Sequence, residues 1–283
     1  MPPRVWFITG ASSGFGKLMT EHVLAEGEIA VATLRNPAAL SDLRAKYPAS
    51  QLLVLKLDVT VPADIVTAFA KARDAFGKVD VVFNNAGYTI IGEVEGTPEE
   101  DARRMFDTNF WGAANVSREA VRVFREVNSP VGGRLIVSSS VTGVNAVPSA
   151  GYYCASKYAL EGLTQSLAAE LDPEWNIKIT LFEPSTFKTS GQTNPFIYPA
   201  HPAYADKPML ITNIARDMIT HGKAPAADAA KAVGKVYDLA GLVSPPLRLV
   251  LGKGAVRQVK AKAVDMGKNA EEFESWSEDL LPN

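Results

Sequence analysis

The chain has 283 residues, of which 47% are apolar and 21% charged, with a formal net charge of −2; this is the profile of a globular domain with ample core. So small a charge, with no long run of one sign, leaves no electrostatic footprint for nucleic acid. No apolar stretch approaches the roughly 20 residues of a membrane span, and Cys154, the only cysteine, excludes an intrachain disulfide. The N-terminus, Met1-Pro2-Pro3-Arg4, lacks an apolar leader segment, and together these features predict a cytoplasmic protein.

Along the chain, short runs rich in Val, Ile and Leu predict strands at 5–9, 29–34, 52–57, 79–84, 134–138, 177–182 and 247–251. Most are nearly continuous in apolar residues, which suits parallel strands buried on both faces. Between them, helical patterns fall near 14–26, 37–46, 62–76, 97–127, 151–171 and 225–240. The alternation predicts an α/β fold: a doubly wound parallel sheet of about seven strands with helices on both faces, in a single domain spanning 1–283. In such sheets ligands bind beyond the carboxyl ends of the strands. Residues 191–209 carry four prolines and several aromatics; a loop of this length predicts a lid, placed at about 190–215. The tail, about 255–281, reads as helical and charged.

Three groups of residues carry chemistry. After the first strand comes Thr9-Gly10-Ala11-Ser12-Ser13-Gly14-Phe15-Gly16. Gly10, Gly14 and Gly16 give the backbone freedom to turn sharply. The helix opening near Gly14 offers its N-terminal dipole to a pyrophosphate. The second strand ends at Leu34 and is followed by Arg35-Asn36. A carboxylate there would accept bonds from a ribose hydroxyl, whereas a guanidinium grips a phosphate. Arg35, with Ser13 and Asn36 as further partners, therefore predicts NADP(H) over NAD(H). Tyr153 and Lys157 stand four residues apart, on one helical face. A phenol titrating near 10 is a poor proton donor and acceptor at neutral pH, and a neighbouring ammonium lowers that value. Ser138, Ser139 and Ser140 lie just upstream.

In this order the motifs resemble those of the short-chain dehydrogenase/reductase family, over roughly residues 4–190. The resemblance rests on the Gly-rich turn, Asn84-Asn85-Ala86-Gly87, Ser140, Tyr153 and Lys157, and implies a Rossmann-like fold. It selects Ser140 from Ser139-Ser140-Val141-Thr142-Gly143 as the serine that holds the substrate oxygen. It gives Tyr153 the acid/base role, and Lys157 both the lowering of the Tyr153 pKa and the nicotinamide ribose. Asn109 is implied as the support of a water next to Lys157. For the cofactor, it implies that Asn85, Ala86 and Gly87 border the adenosine, that Asp58 and Val59 cap the adenine, and that Pro184, Thr186 and Thr189 lie beside the nicotinamide. Ser185 departs from the family, where glycine is usual. Family members often pair through the two long central helices, which implies a homodimer or homotetramer.

These features predict an NADP(H)-dependent enzyme that interconverts a carbonyl compound and an alcohol, of the carbonyl reductase or alcohol dehydrogenase kind. Tyr88–Ile91, Val144–Val147 and the 191–209 loop, with Phe196, Ile197, Tyr198, Tyr204 and Met209, supply mostly apolar side chains, which suits an apolar or aromatic small-molecule substrate; the same residues would also serve simply to pack the lid. A nucleotide-sensing or scaffold protein is the alternative of another class, although sensing needs no Tyr–Lys pair. A lyase relative that lacks the cofactor turn is disfavoured by Gly10, Gly14, Gly16 and Lys157. No metal-ligand cluster is visible in the sequence.

Overall fold

The computed structural model describes residues 2–189, 196–221, 226–278 and 280. One parallel sheet is formed by β1 (Val5–Thr9), β2 (Ile29–Leu34), β3 (Leu52–Lys56), β4 (Val81–Asn84), β5 (Gly133–Ser138), β6 (Ile177–Pro184) and β7 (Arg248–Leu251). Their order across the sheet is β7-β6-β5-β4-β1-β2-β3. The helices are α1 (Gly14–Ala25), α2 (Ser41–Lys46), α3 (Pro62–Phe76), α4 (Glu99–Phe106), α5 (Ala113–Glu126), α6 (Gly151–Glu170), α7 (Pro202–Ala205), α8 (Ile211–Thr220), α9 (Ala229–Leu239) and α10 (Lys253–Glu272). The doubly wound α/β sheet is the expected fold, and strand bounds differ from expectation by no more than two residues. β6 runs on to Pro184 because β7 pairs alongside it, Leu251 opposite Pro184.

Alternation along the strands divides the core into two layers. On one side Val5, Phe7, Leu135, Val137, Ile179 and Leu181 pack with α3, α5 and α6 through Phe69, Val116, Phe124 and Leu160. On the other, Trp6, Ile8, Phe83, Ile136 and Phe182 pack with α1 and α9 through Met19, Val23, Val233 and Val236. Each large side chain so buried contributes about 2–3 kcal/mol of transfer free energy. α3 illustrates how a helix is specified: Pro62 takes its first turn, and Ile65, Ala68, Phe69 and Ala72 form the buried stripe.

Two stretches differ from the sequence-based expectation. The helix expected near 97–127 is interrupted by a π-helical turn, Asp107–Gly112, between α4 and α5. Gly112 lies against Val59, where a Cβ would come within 2.8 Å of Val59 Cγ2. The region expected to be a long loop holds a two-residue strand, Phe196–Ile197, paired with Ile90–Ile91, followed by α7 and α8. Its apolar residues had been read as loop side chains. Residues 190–195 of the expected lid, residue 225 at the start of an expected helix, and residues 279 and 281 of the tail lie outside the described residues.

Candidate active site

The order β4-β1-β2 places β1 where the sheet reverses its winding, and a crevice opens there beyond the strand ends. The turns after β1 and β4 are pinned to each other at this point. Thr9 is fully buried, and its Oγ1 accepts the backbone N–H groups of Asn85 at 2.8 Å and Ala86 at 3.0 Å. Asn85 Nδ2 returns a bond to Thr9 O at 3.1 Å. Gly10 and Gly14 have φ of 69° and 54°, conformations that side chains other than glycine rarely adopt. A Cβ on Gly16 would stand 2.2 Å from the Gly10 carbonyl oxygen. Ser13 precedes α1 and makes no side-chain cap, while its carbonyl accepts from Lys17 N–H at 3.1 Å. Phe15 turns inward onto Phe182 and Phe187, and Ser12 is exposed. The tight turn and a helix start that Ser13 does not cap with its side chain form a cradle suited to a pyrophosphate, so the residues present fit a dinucleotide.

Along the crevice, Leu34 is buried and Arg35 exposed. Asn36 Oδ1 accepts from Ala38 N–H at 3.2 Å, which fixes its side chain locally. Burial would raise the pKa of Asp58, but bonds from the Thr60 backbone and hydroxyl, together with the charge of Arg35, hold it below the usual carboxylate range. Val59 is buried beneath the π-helical turn.

The structure brings Ser140, Tyr153, Lys157 and Asn109 into one cluster. Ser140 stands two residues beyond β5 and caps the short turn Val141–Gly143, its Oγ accepting from Thr142 N–H at 3.1 Å. Tyr153, Ser156 and Lys157 are carried by α6. Lys157 is buried, and its Nζ donates to Ser138 O at 2.8 Å and lies 5.9 Å from the centre of the Tyr153 ring. Asn109, in the π-helical turn, clamps the next loop: its Oδ1 accepts from Tyr88 N–H at 3.0 Å, and its Nδ2 donates to Tyr88 O at 2.9 Å and Ser156 Oγ at 3.2 Å. A π-helical turn at this position aims the amide across the cluster, which explains an asparagine inside a helical stretch. A Cβ on Gly87 would stand 3.0 Å from Asn109 Oδ1.

In the chain alone burial pushes the Tyr153 phenol above its ordinary value, against opposing interactions with Ser140, Thr89 and Thr142. Burial also brings Lys157 down to about 8, with the charge of Glu161 acting to raise it. Thr9, Thr142 and Ser156 have no role in the sequence reading, and Thr89 figures there only within the pocket-wall stretch Tyr88–Ile91. A threonine at a strand end and a serine one residue before the lysine carry no signal until the fold places them together.

After β6, Ser185 takes the place of the usual glycine. Its side chain lies against Gly252, where a Cβ would stand 2.0 Å from Ser185 Oγ. The bulk of the serine is thus accommodated by a glycine at the start of α10. Thr186 O accepts from Ala227 N–H at 3.0 Å, and Pro184 closes β6. Thr189 ends this stretch of described residues.

The expected pocket wall is only partly assembled. Ile90 and Ile91 are buried, Ile91 with Ala150 and Cys154, beside Tyr153. Phe196 meets the Tyr88 ring at 5.6 Å, and its N–H donates to Thr89 O at 3.2 Å. Tyr198 and Tyr204 direct their hydroxyls to Asp101 and Glu95, and Asn145 bonds Gln258 at 3.1 Å. His201 caps α7 by accepting from Ala203 N–H at 3.3 Å. A surface concavity of about 650 Å³ beside β7 and α10, lined by Lys253, Val256 and Arg257 among others, contains none of the clustered residues. Among the described residues no group of three or more His, Cys, Asp or Glu is arranged to hold a metal, and no helix is long and apolar enough to cross a membrane.

A crevice of this kind, with a phenol, an ammonium and a serine at its floor, defines an oxidoreductase class, and comparison with known proteins agrees. The sequence pattern of the family described as short chain dehydrogenase matches residues 4–196. An oxidoreductase of Schizosaccharomyces pombe, described as uncharacterised, is 38% identical over 269 residues, covering 93% of this chain and 87% of that protein. The 3-ketodihydrosphingosine reductase of Bacteroides thetaiotaomicron is 34% identical over 194 residues, 69% of this chain and 68% of that one. The crystal structure of a short-chain dehydrogenase from Streptomyces avermitilis superimposes with a TM-score of 0.88 at 32% identity, covering 98% of each chain. This chain belongs to the short chain dehydrogenase family.

Proposed function

We propose that the chain is an NADP(H)-dependent oxidoreductase that interconverts a ketone or aldehyde with the corresponding alcohol, on an apolar or aromatic substrate. The observation that carries this reading is the convergence of Ser140, Tyr153 and Lys157 on the same sheet edge as the glycine cradle. The turn at Gly10–Gly16 would hold the pyrophosphate, Asn85–Gly87 with Asp58 and Val59 the adenosine, Lys157 the nicotinamide ribose, and Pro184, Thr186 and Thr189 the nicotinamide side. Arg35, exposed at the end of β2 where no carboxylate stands, favours a 2′-phosphate. A bound nicotinamide would supply or accept the hydride and, when oxidised, would add positive charge to the site.

The chain's own residues handle the proton. In reduction Tyr153 Oη would give its proton to the carbonyl oxygen, and in oxidation it would take a proton back from the alcohol. The Ser140 hydroxyl donates to the substrate oxygen and stabilises the charge that develops there. Unaided, Tyr153 sits too high to ionise readily, so the lowered phenol that the mechanism needs belongs to the loaded site, with Lys157 charged. Asn109, by fixing Tyr88, holds the loop that faces both. The lid of about 190–215, its described part strapped to Thr89–Ile91, borders the site, and a 3-ketodihydrosphingosine reductase among the relatives is in keeping with an apolar ketone. Trp111, Tyr158 and Leu163, all exposed on the central helices, suit a homodimer or homotetramer, and a cytoplasmic location fits this reading.

The test is NADPH consumption over a panel of ketones, aldehydes and quinones, beside Tyr153→Phe. The expected outcome is turnover that falls by about 10³-fold in the variant while NADPH still binds. NADPH binding without turnover of any compound would instead favour the sensor alternative.

A further inference from the structure

One helical turn beyond Lys157, α6 carries a second buried charge that the proposed chemistry does not use. Glu161 is 3% exposed. Arg248 of β7 donates from one atom, Nη1, to Glu161 Oε2 at 2.6 Å and to Glu183 Oε1 at 2.5 Å. Glu183 is fully buried, stands next to Pro184 and keeps Oε2 without a hydrogen-bond partner. Two buried carboxylates on one guanidinium leave a negative charge over, and a buried charge left uncompensated is strongly disfavoured. Burial pushes both carboxyls up, Glu161 to about 6 and Glu183 above its ordinary range, against the opposing charge of Arg248; Lys157, four residues before Glu161 on the same face of α6, brings the second positive charge to the group.

The same carboxylate is built into the turn that follows Ser140. Gly143 ends the Ser-Ser-x-x-Gly motif, and a Cβ there would stand 2.8 Å from Ser139 Oγ and 3.0 Å from Glu161 Cγ. That glycine is required because Glu161 and Ser139 fill the space beside it. Three parts of the site therefore meet at one point: the Lys157 helix, the Ser140 turn and the strand leading to Pro184.

We propose that Glu161, anchored by the Arg248 guanidinium that it shares with Glu183, is a positioning residue that keeps Lys157 charged in a buried site and fixes the Ser140 turn and the end of β6 relative to it. The inference rests on the role given to Lys157 above. The titratable groups of α6 that face Lys157 are Tyr153 and Glu161. Gly87, Asn109 and the 138–140 segment bring it neutral groups, and the 86–88 loop also carries the Tyr88 phenol, raised by burial. Glu161 in turn faces Arg248 from β7 and Glu183 from β6.

The experiment is a titration of lysine side chains by ¹³Cε NMR on the full chain, with the Lys157 signal assigned by its loss in Lys157→Arg. Lys157 starts from a midpoint brought down by burial to about 8. In Glu161→Gln, which keeps size and loses charge, the midpoint falls by about one further pH unit, and NADPH affinity is lost at a correspondingly lower pH. Glu183→Gln, one partner further away, moves the midpoint in the same direction by less. An unmoved Lys157 midpoint alongside lowered thermal stability would mean packing alone and overturns the proposal. Should Glu161→Gln fail to fold, an unmoved midpoint in Glu183→Gln overturns it equally. If the oxidoreductase reading fails instead, the midpoint still moves but the unsubstituted chain turns over no carbonyl compound, so the two failures are separable.

Discussion

The crevice floor and the segment that borders it are built by different means. At the floor, contacts are short, buried and made largely to backbone: Thr9 holds two N–H groups, Asn109 both polar groups of Tyr88, and Lys157 the Ser138 carbonyl. The 196–221 segment is attached mainly by side chains reaching back to Glu93, Glu95 and Asp101. It leaves Phe196 62%, Ile211 65% and Met209 84% exposed. The floor is organised before any ligand arrives, as electrostatic catalysis requires. The border has apolar surface in hand, with no polar group committed to a particular substrate. The difference explains why the reaction can be inferred from this chain and the substrate cannot.

The sharpest way to break that contrast is to disturb the floor by one methyl group. In Gly16→Ala the new Cβ would need the space 2.2 Å from Gly10 O and 2.8 Å from Asn85 Nδ2. Backbone cannot yield cheaply here, and overpacking of this kind costs about 1–3 kcal/mol. NADPH affinity, read by fluorescence titration, is expected to fall about 30-fold or more, with the far-UV CD spectrum unchanged. A variant that binds NADPH normally would mean that the cradle is not the pyrophosphate site. Arg35→Ala should do less. A charge-assisted bond at an exposed site is worth about 1.5 kcal/mol, so the preference for NADPH over NADH should drop about tenfold, and by less at high salt. An unchanged preference would refute the assignment of Arg35 to the 2′-phosphate.

The floor was legible in the sequence because its chemistry fixes residue types at fixed separations. A turn that must pass close to Ala86 requires glycine at Gly10, and a lysine beside a phenol on a helix requires four-residue spacing. The strands were legible for a related reason, since burial on both faces leaves continuous apolar runs. What escaped was whatever depends on contacts between distant segments. Glu161 and Glu183 look like ordinary charged residues until Arg248 arrives from β7, more than sixty residues later in the chain than Glu183. Asn109 was singled out, but its clamp on Tyr88 depends on a π-helical turn that no periodicity announces. α8 escaped although its apolar residues Ile211, Ile214 and Met218 recur with helical spacing, because the prolines and aromatics just before it make 190–215 read as a lid that covers the start of the helix.

The border can be tested at the well-buried ion pair of Arg216 and Glu93. Arg216 donates to Glu93 Oε2 at 2.6 Å, and both side chains are largely covered, at 13% and 4% exposure. Burial alone would raise the pKa of Glu93, but Arg216 and two backbone N–H groups outweigh it and hold the carboxylate below its ordinary range. A lowered carboxylate stabilises the folded segment at pH values above the ordinary one of about 4.3, and this contribution is lost as pH falls through the lowered value. In Arg216→Met the Glu93 charge remains buried without its partner, a strongly unfavourable arrangement. Because the segment is attached at few points, the strain is relieved by local opening and not by global unfolding. The expectation is faster amide exchange confined to 196–221 and a several-fold rise in KM with kcat little changed. The sign with pH is definite: protonating Glu93 removes the stranded charge, so the KM defect should shrink as pH is lowered toward 5. A defect that is constant with pH, or exchange that quickens equally in β1 and β4, would place Arg216 in the common framework of the fold and erase the distinction between floor and border at this point.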